Sequence, residues 1–121
     1  MKRNIKHRLE AKLDDIMREN PKHNPWNQDA KALLYMIRQI FVLAKRPLDM
    51  AEICRHTLSP DAAIAALKAI DAKGDKAMKK ELCVLMGYFY DFKAIGYMER
   101  TETSMRLLNM LHKRGLSGIT R

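Results

Sequence analysis

A chain of 121 residues with 47% hydrophobic and 31% charged side chains can close one core without disulfides, and its composition excludes wholesale disorder. No run approaches about 18 apolar residues, and the basic start (Lys2, Arg3, Lys6, Arg8) leads into no apolar stretch, so neither a membrane span nor a signal peptide is expected. The net charge of +9 points to phosphate backbones, anionic membrane surfaces or acidic proteins as partners.

Five glycines and four prolines are few, which favours long helices. The first helix is expected over residues 3–19, where Ile5, Leu9, Leu13, Ile16 and Met17 recur at helical spacing. Lys6 and Glu10 are spaced for an ion pair on its charged side. The stripe is narrow; it either packs on the rest of the chain or pairs with a second copy to give a homodimer. Asn20-Pro21 ends it, because proline disfavours the helical conformation in the residue before. The linker holds the sole tryptophan, Trp26, read as a hydrophobic anchor folded back on the core. Asn27 is placed to cap the next helix, with Asp29 in its first turn.

That helix should run to about Lys45 and be the most buried, with Ala30, Leu33, Leu34, Ile37, Ile40, Phe41 and Ala44 inward. Asp49 caps a short helix from Met50 to Thr57; Ser59 caps and Pro60 opens a fourth, to Lys73. Gly74-Asp75 breaks the chain before a fifth helix, Lys76 to Ala94, whose inner face is Met78, Leu82, Leu85, Met86, Phe89 and Phe92. Ile95-Gly96 terminates it. Tyr97 to Thr101 alternates weakly, as a short strand would. From Ser104, the leucines and methionines favour a final helix ending at Gly115 over a returning strand, and residues 116–121 are expected to fray. The fold class is therefore all-α: a basic amphipathic helix at 1–20, then one helical domain at 21–121.

The segment from Arg46 to Leu67, RPLDMAEICRHTLSPDAAIAAL, resembles a helix-turn-helix: an acidic cap, an Ala-Glu-Ile first helix, a Leu-Ser-Pro turn and a second helix with spaced Ile and Leu. Leu85 to Arg100, LMGYFYDFKAIGYMER, is similar to the end of a recognition helix leading into a wing. Together they resemble the winged-helix DNA-binding superfamily over residues 46–101. The resemblance implies a helix-turn-helix core, a short β-wing, and duplex DNA as partner. Either 60–73 or 76–94 would then be the recognition helix.

Neither helix offers the arginine, asparagine or glutamine side chains that read base edges. The exposed side of 60–73 is expected to present Asp61, Ala65, Lys68 and Asp71; that of 76–94, Lys76, Lys80, Val84, Gly87 and Asp91. What remains is phosphate binding. Lys73, Lys76, Lys79 and Lys80 cluster around the break before a helix start, Lys68 precedes them, and Arg3, Lys6, Lys113 and Arg114 extend the footprint from the chain ends.

Cys54 and Cys83 sit in apolar helical patterns and read as reduced core thiols of a cytoplasmic protein. With His56 and His112 they lack the tight paired spacing of a zinc site, and no nucleophile pair, glycine-rich phosphate loop or isolated carboxylate pair is present. The sequence thus predicts a non-enzymatic nucleic-acid binder without cofactor or metal, a transcriptional or accessory regulator. The alternative is an adaptor or inhibitor of another protein, marked by an exposed apolar patch with Trp26 or methionines. RNA is a third partner, through stacking on Tyr88, Tyr90 and Tyr97.

Overall fold

The computed structural model describes the backbone of residues 2–20, 22–23 and 25–116, and their side chains from residue 8 onward. Six α-helices, α1 (Lys2–Met17), α2 (Gln28–Ala44), α3 (Met50–Leu58), α4 (Pro60–Asp71), α5 (Lys79–Ala94) and α6 (Tyr97–Lys113), make up the architecture of these residues. Short 3-10 turns at Pro25–Asn27 and Lys76–Met78 lead into α2 and α5, and no strand occurs among the described residues. The all-α class is therefore established.

α2 is the hub. It packs against each of the other five helices, which is why its apolar residues surround so much of its circumference. Leu33, Leu34 and Ile37 are fully buried, with Ile40 and Phe41 nearly so. α1 lies antiparallel to α2: Asp14 accepts from Arg38 at 2.9 Å, while Glu19, just past the end of α1, meets the start of α2. Leu13 and Ile16 are fully buried and Leu9 and Met17 partly so, so α1 spends this part of its stripe on its own chain. Ile5 and Lys6, expected in the stripe and in an ion pair, have side chains outside the described set.

Capping explains most of the boundaries. Asp49 accepts from the amides of Ala51 and Glu52, and Ser59 from Ala62, with Pro60 at the first helical position of α4. Asn27 departs from its expected role: its amide donates to Glu19 Oε1 at 2.8 Å and makes no cap bond. The ammonium of the buried Lys31 bonds to the Glu19 carbonyl beside it. These two bonds hold the linker against α2. α2 ends with Lys45 in the left-handed conformation (φ 56°), its amide bonded to the carbonyls of Phe41 and Val42.

Three expectations are overturned. Tyr97 to Thr101, read as a strand, forms the first turns of α6; Arg100 bonds to the carbonyl of Gly96, and the helical spacing of Thr103, Leu107, Met110 and Leu111 carries one buried stripe through the segment. No β-wing exists there. Trp26, read as an anchor, is 56% exposed, because the Pro25–Asn27 turn buries none of its residues. Cys83, read as a core thiol, is exposed on α5, while Cys54 on α3 is half-buried. The segment beyond Leu116, expected to fray, lies outside the described residues; Leu116 itself bonds back to the Leu111 carbonyl.

Candidate nucleic-acid interface

The lysine cluster is built by a tight helical hairpin. α4 and α5 form the most extensively packed pair in the molecule, antiparallel, with Asp61 bridged to Lys93 (2.8 Å) at one end and Asp71 facing Lys79 (3.8 Å) at the other. The reversal at that second end needs a left-handed residue, supplied by Gly74 at φ 73°. Asp75 then accepts from the Ala77 amide and starts the 3-10 turn.

Lys68, Lys73, Lys76, Lys79 and Lys80 are all exposed around this reversal. Among the described residues, Lys79 alone of these has an ion partner, Asp71. The outward residues expected on both helices are also exposed: Asp61, Ala65, Lys68 and Asp71 on α4, and Lys76, Lys80, Val84, Gly87 and Asp91 on α5. Hydrophobic spacing alone fixes which side faces out, so this part of the site was readable.

The hairpin end does not stand alone. Lys80 and Val84 share a groove of about 290 Å³ with Tyr35, Gln39 and Leu43 of α2. Across Tyr35 and Gln39, a second groove of about 480 Å³ contains Glu10 of α1 together with Val42, Lys45 and Arg46. The C-terminal end of α2 therefore has the α4–α5 reversal on one side and the N-terminal half of α1 on the other. Lys45, exposed and without an ion partner among the described residues, lines the groove on the α1 side. The sequence marks Lys45 only as the end of the second helix; nothing in its spacing relates it to residues 35 positions onward.

The remaining expected contacts are divided. The side chains of Arg3 and Lys6 lie outside the described set; past the start of their helix, Arg8 is exposed and Glu10 lines the groove that holds Lys45. Lys113 is exposed at the opposite end of α1 from that start. Arg114 beside it is largely withdrawn from solvent: it faces Glu19 at 3.9 Å, donates to the Met110 carbonyl, and its Nε is buried without a partner. Lys12, unremarked in the sequence, reaches Gly115 at this seam between α1 and α6.

The three tyrosines expected to stack on bases, Tyr88, Tyr90 and Tyr97, lie elsewhere. Tyr88 stacks on Phe92 with ring centroids 6.2 Å apart, and burial, aided by Asp29, pushes its phenol up to about 12. Tyr90 and Tyr97 are exposed near the junction of α5 and α6, at the other end of α5 from the lysines. The guanidinium of Arg100 covers the Tyr97 ring at 5.8 Å. Cys54, His56, Cys83 and His112 occupy three different helices, and no group of three His, Cys, Asp or Glu side chains among the described residues is arranged to hold a metal ion. No protein-family model, curated protein or solved structure matches the chain.

Proposed function

We propose that this chain is a non-enzymatic nucleic-acid-binding protein, an accessory factor or transcriptional regulator that holds duplex DNA mainly through its phosphates. One observation carries the reading: Lys73, Lys76 and Lys80 have no ion partner among the described residues and lie at the α4–α5 reversal, beside the end of α2 that carries Lys45. Unpaired lysines keep their charge available for displacing counterions, which is the source of sequence-independent affinity. The faces of α4 and α5 that meet solvent carry no arginine, asparagine or glutamine, which favours binding of the positioning kind. The helix-turn-helix likeness would be carried by α3 and α4, joined here through the single residue Ser59.

The test is fluorescence-anisotropy titration with random duplex DNA across a salt series. Micromolar binding is expected, with a log–log salt slope of about −3 to −4 if four phosphates are neutralised. Lys76→Glu plus Lys80→Glu should flatten that slope while leaving the circular-dichroism melt unchanged. Absence of binding even at low salt rejects the reading.

The alternative, an adaptor or inhibitor that binds another protein, draws on a separate observation: an exposed apolar surface around Trp26 and Met98. It occupies the opposite end of α2, so the two readings compete for no residue.

A further inference from the structure

At the N-terminal end of α2, a groove of about 510 Å³ opens between the Pro25–Asn27 turn and the first turns of α6, with Trp26 and Met98 exposed in it. Met98 is 83% exposed, and its neighbours Tyr97 and Ile95 also meet solvent. Tryptophan, tyrosine and methionine are side chains that interfaces favour, and here Trp26 and Met98 line one groove with Tyr97 next to Met98 in the chain. Trp26 is held for the purpose: proline fixes one side of its turn, and the Asn27–Glu19 bond ties down the other. Little ordering entropy would remain to be lost on binding.

The charge around this surface reverses that of the molecule. The chain is +9 overall, yet residues 82–104 hold only Lys93 and Arg100 against Asp91, Glu99 and Glu102. Asp29 adds a further carboxylate at the groove. Lys93 is already bonded to Asp61, and Arg106, the one base lining the groove, is bonded to Glu102 at 2.6 Å. Asp29, Asp91 and Glu99 have no ion pair among the described residues. Local helix chemistry accounts for part of this, since Asp29 and Glu99 stand in the first turns of α2 and α6 where negative charge is favoured. It does not account for Asp91 near the end of α5, which lines an adjoining groove of about 240 Å³ with Asp29, Ile95 and Glu99, nor for the apolar side chains left in water between the carboxylates.

We propose that this groove docks a basic segment of a partner protein, one that sets an apolar anchor against Trp26 and Met98 and lysine or arginine against Asp29, Asp91 and Glu99. The proposal rests on the adaptor reading and gives its partner a chemistry. An anionic bilayer is disfavoured by the carboxylates that rim the groove. A basic segment gains from both features at once.

Trp26 is the only tryptophan, so its emission reports on the groove directly. The protein is titrated with an amphipathic Leu/Lys peptide and, in parallel, with its Leu/Glu counterpart of the same length. A saturable blue shift with Leu/Lys alone is expected, weakened about tenfold by Asp29→Asn plus Glu99→Gln. An equal response to Leu/Glu overturns the basic partner while leaving the adaptor reading in place. No response to either peptide removes both. A shift produced by anionic phosphatidylserine vesicles alone, or by raising protein concentration without peptide, overturns the proposal in favour of a membrane or a second copy.

Discussion

The hydroxyl of Ser104, midway along α6, donates to the carbonyl of Thr57 near the end of α3 at 2.8 Å, and both side chains are buried. The last carbonyls of a helix have no partner within it, and Thr57 is one of these. A residue 47 positions onward in the chain therefore completes the end of α3. Ser104→Ala would strand that carbonyl away from water, and a loss of about 1–3 kcal/mol is expected in urea unfolding. An unchanged midpoint and slope would show that water reaches the carbonyl instead.

His56 provides a pH dependence. It is almost wholly buried in α3, its Nδ1 has no hydrogen-bond partner, and Phe41 lies against it with ring centroids 6.2 Å apart. Burial first, then the charges of Arg55 and Arg46, lowers its pKa from 6.5 to about 4. The unfolded chain thus takes up a proton that the folded chain refuses. The associated stability is fully present above about pH 6.5 and is lost as pH falls toward 4. The shift corresponds to a loss on the order of 3 kcal/mol. Urea titrations at several pH values should show this decline, and His56→Leu should remove the step belonging to this residue.

Two glycines should respond with opposite signs. Gly74 turns the chain between α4 and α5 at φ 73°, and an added Cβ would meet nothing within 4 Å, so Gly74→Ala tests the backbone conformation alone. A loss of about 1 kcal/mol is expected. Gly87 lies inside α5, also with open space around it; there Gly87→Ala should add about 1 kcal/mol by raising helix propensity. Thermal melts of the two variants check both signs.

Helix periodicity and capping residues located most of the elements in advance. Asp49, Ser59-Pro60 and Gly74 each act through their own backbone, so their consequences are local and readable. Asn27 was misjudged because its role depends on Glu19, eight residues earlier but adjacent only after α1 folds back on α2, and Trp26 because the Pro25–Asn27 turn leaves it at the surface. Tyr97 to Thr101 alternates over too few residues to outweigh the stripe from Thr103 to Leu111, which fixes the segment as helix. For the candidate interface, the exposure of Lys73, Lys76, Lys79 and Lys80 was legible because they fall close together in the chain. Lys45 and the acid-rimmed groove were not, since each joins helices that sequence alone does not bring together.

The placement of α6 also governs the order in which the chain can mature. It lies against α1, α2 and α3, and it supplies Leu107, Met110 and Leu111 to their shared core. While residues 97–113 are still inside the ribosome, the α4–α5 hairpin has all of its mutual contacts available, but α2 and α3 lack one wall. The emerging protein would pass through a stage with an organised hairpin and an open apolar trough beside it, a surface suited to transient chaperone binding until the final helix arrives.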